Sequence, residues 1–106
     1  MRIAVDSLLN SINMFNKIAS VNIHVPVRGP GNTIRQNPVL FDVFSDDSIY
    51  KAVPVLNEDE RRVANLPLEL LFGFENGKPV SQRGVRDGNF HAIQDIVHEL
   101  QSKKLL

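Results

Sequence analysis

The chain has 106 residues, with twelve Lys and Arg residues against twelve Asp and Glu residues, and it contains no Cys. This length predicts a single globular domain over residues 1–106. The missing cysteines exclude disulfide-stapled folds, thiolate zinc sites and cysteine nucleophiles, and a net charge of zero argues against a protein built mainly to bind a polyanion. Because no apolar segment has the length of a signal-peptide core or a membrane span, we expect a cytoplasmic protein without a membrane partner.

The first thirty residues predict a helix followed by a strand. Apolar residues at helical spacing predict an amphipathic helix over residues 3–19, with an Asn-rich polar face. Residues 21–27 then alternate apolar and polar side chains, which predicts a half-buried strand. Pro26 cannot donate a ladder hydrogen bond, so this strand is expected at a sheet edge.

Residues 28–38 contain two Gly, two Pro and two Asn, which predicts an irregular loop. Two apolar-rich runs follow, over residues 39–45 and 48–56. The sequence Ser45-Asp46-Asp47-Ser48 between them favours a turn and hence a hairpin. Pro54 in the second run predicts that this strand also lies near an edge.

The second half of the chain predicts a short helix, a hairpin and a last helix. Asn57, with Glu60 three residues later, resembles a capping box at the start of a helix over residues 58–65. Strands are expected over 68–75 and 78–83, joined by a tight Asn76-Gly77 turn, with the weakly apolar second strand at an edge. A helix over 89–104 would be capped by Asp87 or Asn89, and its expected core face is Phe90, Ile93, Ile96, Val97 and Leu100.

Together these elements predict an α+β fold. We expect a mostly antiparallel sheet of about five strands, with N- and C-terminal amphipathic helices on one face and a short middle helix. The order α-β-β-β-α-β-β-α is similar to that of secretion-type chaperones, which is an analogy at the level of fold alone.

The best candidate binding segment is the Gly-rich loop. Its glycines allow backbone angles that can aim amide groups at an anion, and its arginines could bind phosphate or carboxylate. It lacks the Gly-Lys-Ser/Thr sequence of a P-loop, so we interpret it as an interaction loop for a protein or an anion. Its expected binding residues are Arg28, Gly29, Gly31, Asn32 and Arg35.

The last helix places His91, Asp95 and His98 on one face, at spacings of four and three residues. Two imidazoles and a carboxylate could ligate a metal, but the spacing is not that of a metalloprotease helix. We interpret this face as solvated polar surface and predict no metal site, no cofactor and no catalytic residues.

These features favour a small non-enzymatic protein-interaction or assembly module of the accessory or regulatory type. Its expected partner is another protein or a second copy of the chain, with a homodimer as the first expectation. The alternatives are a nucleic-acid-binding protein, a secretion-type chaperone and a small metal-dependent enzyme. The charges are unevenly spread, because residues 38–60 are acidic and both flanking segments are basic, which would suit self-complementary pairing. The nucleic-acid alternative would need the basic loop and an arginine cluster: Arg28, Arg35, Arg61, Arg62, Arg83 and Arg86.

Overall fold

The computed structural model describes residues 15–46, 48–81 and 88–106. Its centre is a five-stranded antiparallel sheet in which neighbouring strands follow chain order, β1-β2-β3-β4-β5. The predicted α+β class with an antiparallel sheet of five strands is therefore confirmed. The strands are β1 (Asn16–Arg28), β2 (Ile34–Ser45), β3 (Tyr50–Pro54), β4 (Leu70–Glu75) and β5 (Lys78–Ser81).

A long hairpin of β1 and β2 dominates the sheet. Along β1 the side chains alternate between buried and exposed from Val21 to Arg28, as the sequence pattern predicts. We call the buried side the core face of the sheet and the opposite side its outer face. On the core face of the hairpin the buried apolar residues are Val21, Ile23, Val25, Val27, Val39, Phe41 and Val43.

The predicted helix over residues 3–19 is wrong at its C-terminal end. Asn16 and Lys17 pair with Ser45 and Phe44, and the pairing resumes at Ala19 after a bulge. Asn is a mediocre helix former, and here pairing with β2 extends the strand toward the N-terminus. Residues 3–14 of the predicted helix lie outside the described residues.

The predicted irregular loop over residues 28–38 is much shorter in the structure. β1 continues to Arg28 and β2 begins at Ile34, so the connection comprises only residues 29–33. Pro38 lies within β2 opposite His24. A proline is tolerated there because the N–H group of that position would point away from β1 and would make no hydrogen bond to it.

The predicted edge position of the strand containing Pro54 is also wrong. β3 lies between β2 and β4 in the middle of the sheet. It pairs with β4 only from Tyr50 to Ala52, whereas its pairing with β2 extends to Pro54. Pro54 therefore lies beyond the last residue paired with β4, where its missing N–H removes no bond to that strand.

Helix α1 (Glu58–Ala64) follows β3. The Asn57 side chain accepts a hydrogen bond from the Glu60 N–H at 2.8 Å, and the Asn57 N–H donates to the Glu60 carboxylate at 3.2 Å. This reciprocal pair is the capping box that the sequence indicated. The helix ends at Asn65, which adopts a left-handed conformation with φ of 56°.

The β4–β5 hairpin turns at Asn76 and Gly77, with φ of 53° and 78°. Positive φ at both central residues is the signature of the tight turn that an Asn-Gly pair favours. In the middle of β4, the Phe72 ring stacks on that of Tyr50, with centroids 5.3 Å apart. β5 is the second edge strand of the described sheet.

Helix α2 (Gly88–Ser102) packs against β1, β4 and β5. Its buried residues join the core-face residues of the sheet and Ala64 of α1 in one apolar cluster. The proposed cap residue Asp87 and the side chain of Asn89 lie outside the described part of the chain. The buried residues of α2 are Ala92, Ile93, Ile96, Val97 and Leu100, whereas Phe90 is half-buried.

Candidate interaction edge along the first strand

The Gly-rich segment forms a compact turn between β1 and β2. The Gly29 N–H donates to the Thr33 carbonyl at 2.9 Å, and the Thr33 hydroxyl donates to the Pro30 carbonyl at 2.7 Å. Gly31 has φ of +66°, a conformation that L side chains rarely adopt. The Thr33 hydroxyl approaches Gly29 so closely that a Cβ there would lie 2.6 Å from it. The two glycines are thus explained by the geometry of the turn itself.

The two arginines that flank this turn lie on opposite faces of the hairpin. Arg28 pairs with Ile34, whereas Arg35 pairs with the buried Val27. Directly opposite residues share a face, and adjacent residues alternate. Arg35 is therefore on the core-face side, where it borders a cavity of about 310 Å³ together with Asp59 and Glu60 of α1. The turn does not bring the two guanidinium groups together on one face.

Of the remaining arginines of the predicted cluster, Arg61 and Arg62 lie in the last turn of α1. Arg62 forms an exposed ion pair with Asp59, one helical turn away in α1. Arg83 and Arg86 lie outside the described residues. Asn32 is exposed at the tip of the turn.

His91, Asp95 and His98 are exposed along α2. Among the residues that the structure describes, no group of three or more His, Asp or Glu side chains is arranged to hold a metal ion. His24 of β1 borders the same surface as these three side chains. The structure thus brings all three histidines of the chain to one region.

β1 is an edge strand of the described sheet, so part of its backbone hydrogen-bonding groups has no neighbouring strand among the described residues. In an antiparallel ladder, successive residues direct their N–H and C=O groups alternately toward and away from the neighbouring strand. The hydrogen bond from the Gly29 N–H to the Thr33 carbonyl shows which residues of β1 bond to β2. The odd-numbered residues from Val21 to Val27 direct their N–H and C=O groups toward β2. The hydrogen bond from the Val55 N–H to the Leu40 carbonyl agrees with this assignment. It shows that the even-numbered residues of β2 direct their backbone groups toward β3, so the odd-numbered ones face β1.

The even-numbered residues therefore direct their backbone groups away from β2, and we call this side the free edge. Within the described ranges no strand pairs with it. Pro26 is one of these residues, so its missing N–H costs β1 no bond to β2. The free-edge residues, whose side chains are all exposed, are Ser20, Asn22, His24, Pro26 and Arg28.

A groove follows the free edge. It consists of two adjoining cavities of about 260 and 250 Å³, which share His24 and Asp95. α2 borders both cavities, and Val63 of α1 borders the larger one. The apolar lining is partly open to solvent, because Ile34 is 68% exposed and Val63 is 51% exposed. This edge groove combines the backbone groups of the free edge with apolar surface.

A small polar cluster lies on the outer face near the N-terminal end of the free edge. Asp42 accepts a hydrogen bond from the Ser20 hydroxyl at 2.7 Å and forms an ion pair with Lys17 at 3.2 Å. The hydrogen bond from Ser20, assisted by Lys17, lowers the pKa of Asp42 below its ordinary value of 3.8. The cluster therefore keeps a carboxylate charge beside β1.

The edge position predicted for the strand containing Pro26 is confirmed, but the binding residues proposed from the sequence were those of the turn, and the individual residues of the free edge were not named. The alternation of residues 21–27 and the position of Pro26 were the available signals. What they lacked was the register with β2, which decides the direction of each N–H.

No helix in the described part of the chain is long and apolar enough to cross a membrane. No family model, curated protein or solved structure matches the chain.

Proposed function

We propose that the chain is a small non-enzymatic protein-interaction module of the accessory or regulatory type, acting in the cytoplasm, and that it associates with itself through the free edge of β1. The observation that carries the proposal is the row of N–H and C=O groups, on the even-numbered residues from Ser20 to Arg28, that no strand among the described residues pairs. Such an edge can accept an added strand, with backbone hydrogen bonds supplying affinity and neighbouring pockets supplying specificity.

The two edges of the sheet differ in how well they are protected against added strands. Short length, lysine, proline and bulges all protect an edge strand. β5 has four residues, two of which are Lys78 and Pro79. β1 has thirteen residues, and its bulge at Lys17 lies outside the regular stretch. Pro26 removes one donor from the free edge, and four N–H groups remain. This contrast supports β1 as the interaction strand.

Sedimentation equilibrium with a matched pair of proline variants tests the proposal. Asn22→Pro removes an N–H from the free edge without removing a bond to β2. Gln36→Pro removes an N–H from the far side of the same hairpin, where β3 no longer pairs. Pro26 in β1 and Pro38 in β2 show that both strands accept proline at even-numbered positions, where the N–H would point away from the other strand of the hairpin.

We expect the wild type and Gln36→Pro to form dimers of similar affinity and Asn22→Pro to dimerise about tenfold or more weakly, since it removes one interchain hydrogen bond from each copy, with circular dichroism confirming that all three fold. A wild type that stays monomeric at millimolar concentration would refute self-association. An association constant unchanged by Asn22→Pro would show that another surface mediates the dimer.

The other functions expected from the sequence stay predictions. Arg28 and Arg35 lie on opposite faces, which does not favour a basic nucleic-acid surface at the turn. Nothing in the described residues specifically favours a secretion-type chaperone or a metal-dependent enzyme.

A further inference from the structure

We infer that two copies of the chain pair antiparallel through β1 with their twofold axis at His24. This inference rests on the proposed function and adds the register. The regular part of β1 runs from Ser20 to Arg28, between the bulge at Lys17/Ala19 and the turn that begins at Gly29. His24 is the central residue of this stretch. A twofold axis there pairs the entire regular stretch with itself.

The hydrogen-bonding groups of the free edge match in this register. Ser20 lies opposite Arg28 of the second copy, Asn22 opposite Pro26, and His24 opposite His24. Each of the four free-edge N–H groups then faces a carbonyl of the second copy, which gives eight interchain bonds. Pro26 needs no acceptor and offers its carbonyl to the Asn22 N–H.

If the twofold axis is moved to the next free-edge residue in either direction, fewer residues of the edge lie opposite regular strand of the second copy. With the axis at Pro26, two residues without an N–H would face each other, and Asn22 would lie opposite the turn. With the axis at Asn22, Pro26 and Arg28 would lie opposite residues in and beyond the bulge, where the ladder is irregular. Only the His24 register confines all pairing to regular strand on both copies.

Charge is also complementary in this register. By register Ser20, Asp42 and Arg28 all belong to the outer face, since Ser20 pairs with Asp42 and residues 20 and 28 have the same parity. Arg28 also borders the larger cavity at the edge, together with Ile34 and Val63. Pairing around His24 therefore places Arg28 beside Ser20 of the second copy, with the Asp42 carboxylate one strand further on. The twofold axis repeats this arrangement at the other end of the interface. A complementary pair at each end favours this register over a shifted one.

Single cysteine substitutions can read the register directly, because the natural chain has no cysteine. Directly opposite residues in a hydrogen-bonded antiparallel pair have their Cβ atoms about 5 Å apart, slightly more than the distance across a disulfide. A short cross-linker that reacts with two thiols spans this gap, so His24→Cys should give a covalent dimer when treated with it. Asn22→Cys should not cross-link with itself, since its two copies would be four residues out of register, about 13 Å apart.

The matched positive control mixes Asn22→Cys with Pro26→Cys, which should cross-link with each other. The negative control is Gln36→Cys on the far side of the hairpin. Non-reducing electrophoresis and intact-mass measurement give the yields, and we expect at least a tenfold excess for His24→Cys over Asn22→Cys.

A highest yield at any position other than His24 overturns this register. If Asn22→Pro still weakens the dimer in that case, strand pairing at β1 stands and only its register is wrong. Absence of cross-linking by every β1 variant, with a dimeric wild type, overturns the β1 interface itself.

Discussion

Arg28 and Arg35 flank the same turn, yet they occupy opposite faces of the β1–β2 hairpin, because Arg28 lies opposite Ile34 and Arg35 lies opposite Val27. The two side chains are therefore in different electrostatic environments. Arg35 borders Asp59 and Glu60 of its own chain, whereas Arg28 belongs to the free edge. This separation makes the two arginines a matched pair for mutagenesis.

Arg28→Ala should weaken self-association about 2- to 5-fold at low salt, the range of an exposed ion pair. Arg35→Ala should leave the association constant unchanged, because its side chain lies on the core-face side of the hairpin. Sedimentation equilibrium at low and high ionic strength measures both. The effect of Arg28→Ala should shrink at high salt, since screening reduces the attraction to Asp42 of the second copy. Equal effects of both variants would contradict the assignment of Arg28 to the interface.

Gly29→Ala should destabilise the fold by about 1–2 kcal/mol, because the new methyl group would meet the Thr33 hydroxyl and break its hydrogen bond to Pro30. Urea unfolding measures the change in free energy. Thr33→Ala removes the obstructing hydroxyl, so the double variant should cost less than the sum of the two single variants. Additive costs would show that the Gly29–Thr33 contact does not limit the turn.

Asn57→Ala should lower the free energy of unfolding by about 1 kcal/mol, because it removes the side-chain acceptor for the Glu60 N–H at the start of α1. Glu60→Gln is the matched control, since a glutamine can still accept the hydrogen bond from the Asn57 N–H. Thermal or urea unfolding of the three proteins gives the comparison. A loss from Glu60→Gln as large as that from Asn57→Ala would contradict the capping role of Asn57.

Asp42 should make stability depend on pH in the acidic range. Its pKa is lowered in the folded state, first by the hydrogen bond from Ser20 and then by Lys17. The folded state then binds a proton less readily than the unfolded state. The stabilisation is therefore present above the ordinary value of 3.8 and is lost as pH falls through the lower, folded pKa.

Urea unfolding of wild type and Asp42→Asn at pH 7 and at pH 2 tests this dependence. We expect a difference below about 1 kcal/mol at neutral pH, as for other exposed pairs, and a smaller one at pH 2. Ser20→Ala should reduce the pH dependence, since it removes the principal hydrogen bond. A difference that grows toward acidic pH would have the wrong sign for this cluster.

The sequence predicted those elements whose signals are local. The alternation of residues 21–27, the capping residues around α1 and the Asn76-Gly77 turn each depend on neighbouring residues alone. The errors arose where a distant strand decides the outcome. Asn16 and Lys17 are strand because β2 lies beside them, and no local pattern contains that information.

Pro38 and Pro54 contributed to a second kind of error, whereas the edge position predicted from Pro26 is confirmed. Pro26, Pro38 and Pro54 have equivalent local effects, since each lacks an N–H. The missing N–H costs the sheet a hydrogen bond only where that N–H would have pointed at a paired neighbouring strand. Its direction follows from the register, and the presence of a neighbour follows from the length of each pairing. For the same reason the edge position of β1 could be predicted from Pro26, but the sequence could not show which of its residues direct their backbone groups away from β2.

The half of the β1–β2 hairpin next to the Gly29–Thr33 turn is a two-stranded ribbon. Among the described strands, the β2 residues Ile34–Val39 pair with β1 alone, because β3 does not extend that far. The core face of the ribbon packs against α1 and α2, but neither of its edges has a neighbouring strand among the described residues, and a two-stranded ribbon depends on such packing for its stability. A third strand along β1 would give this half a partner on its open side. Opening of the ribbon and dissociation of the dimer would then be thermodynamically linked, so the rate at which its amide protons exchange with solvent should fall as protein concentration rises.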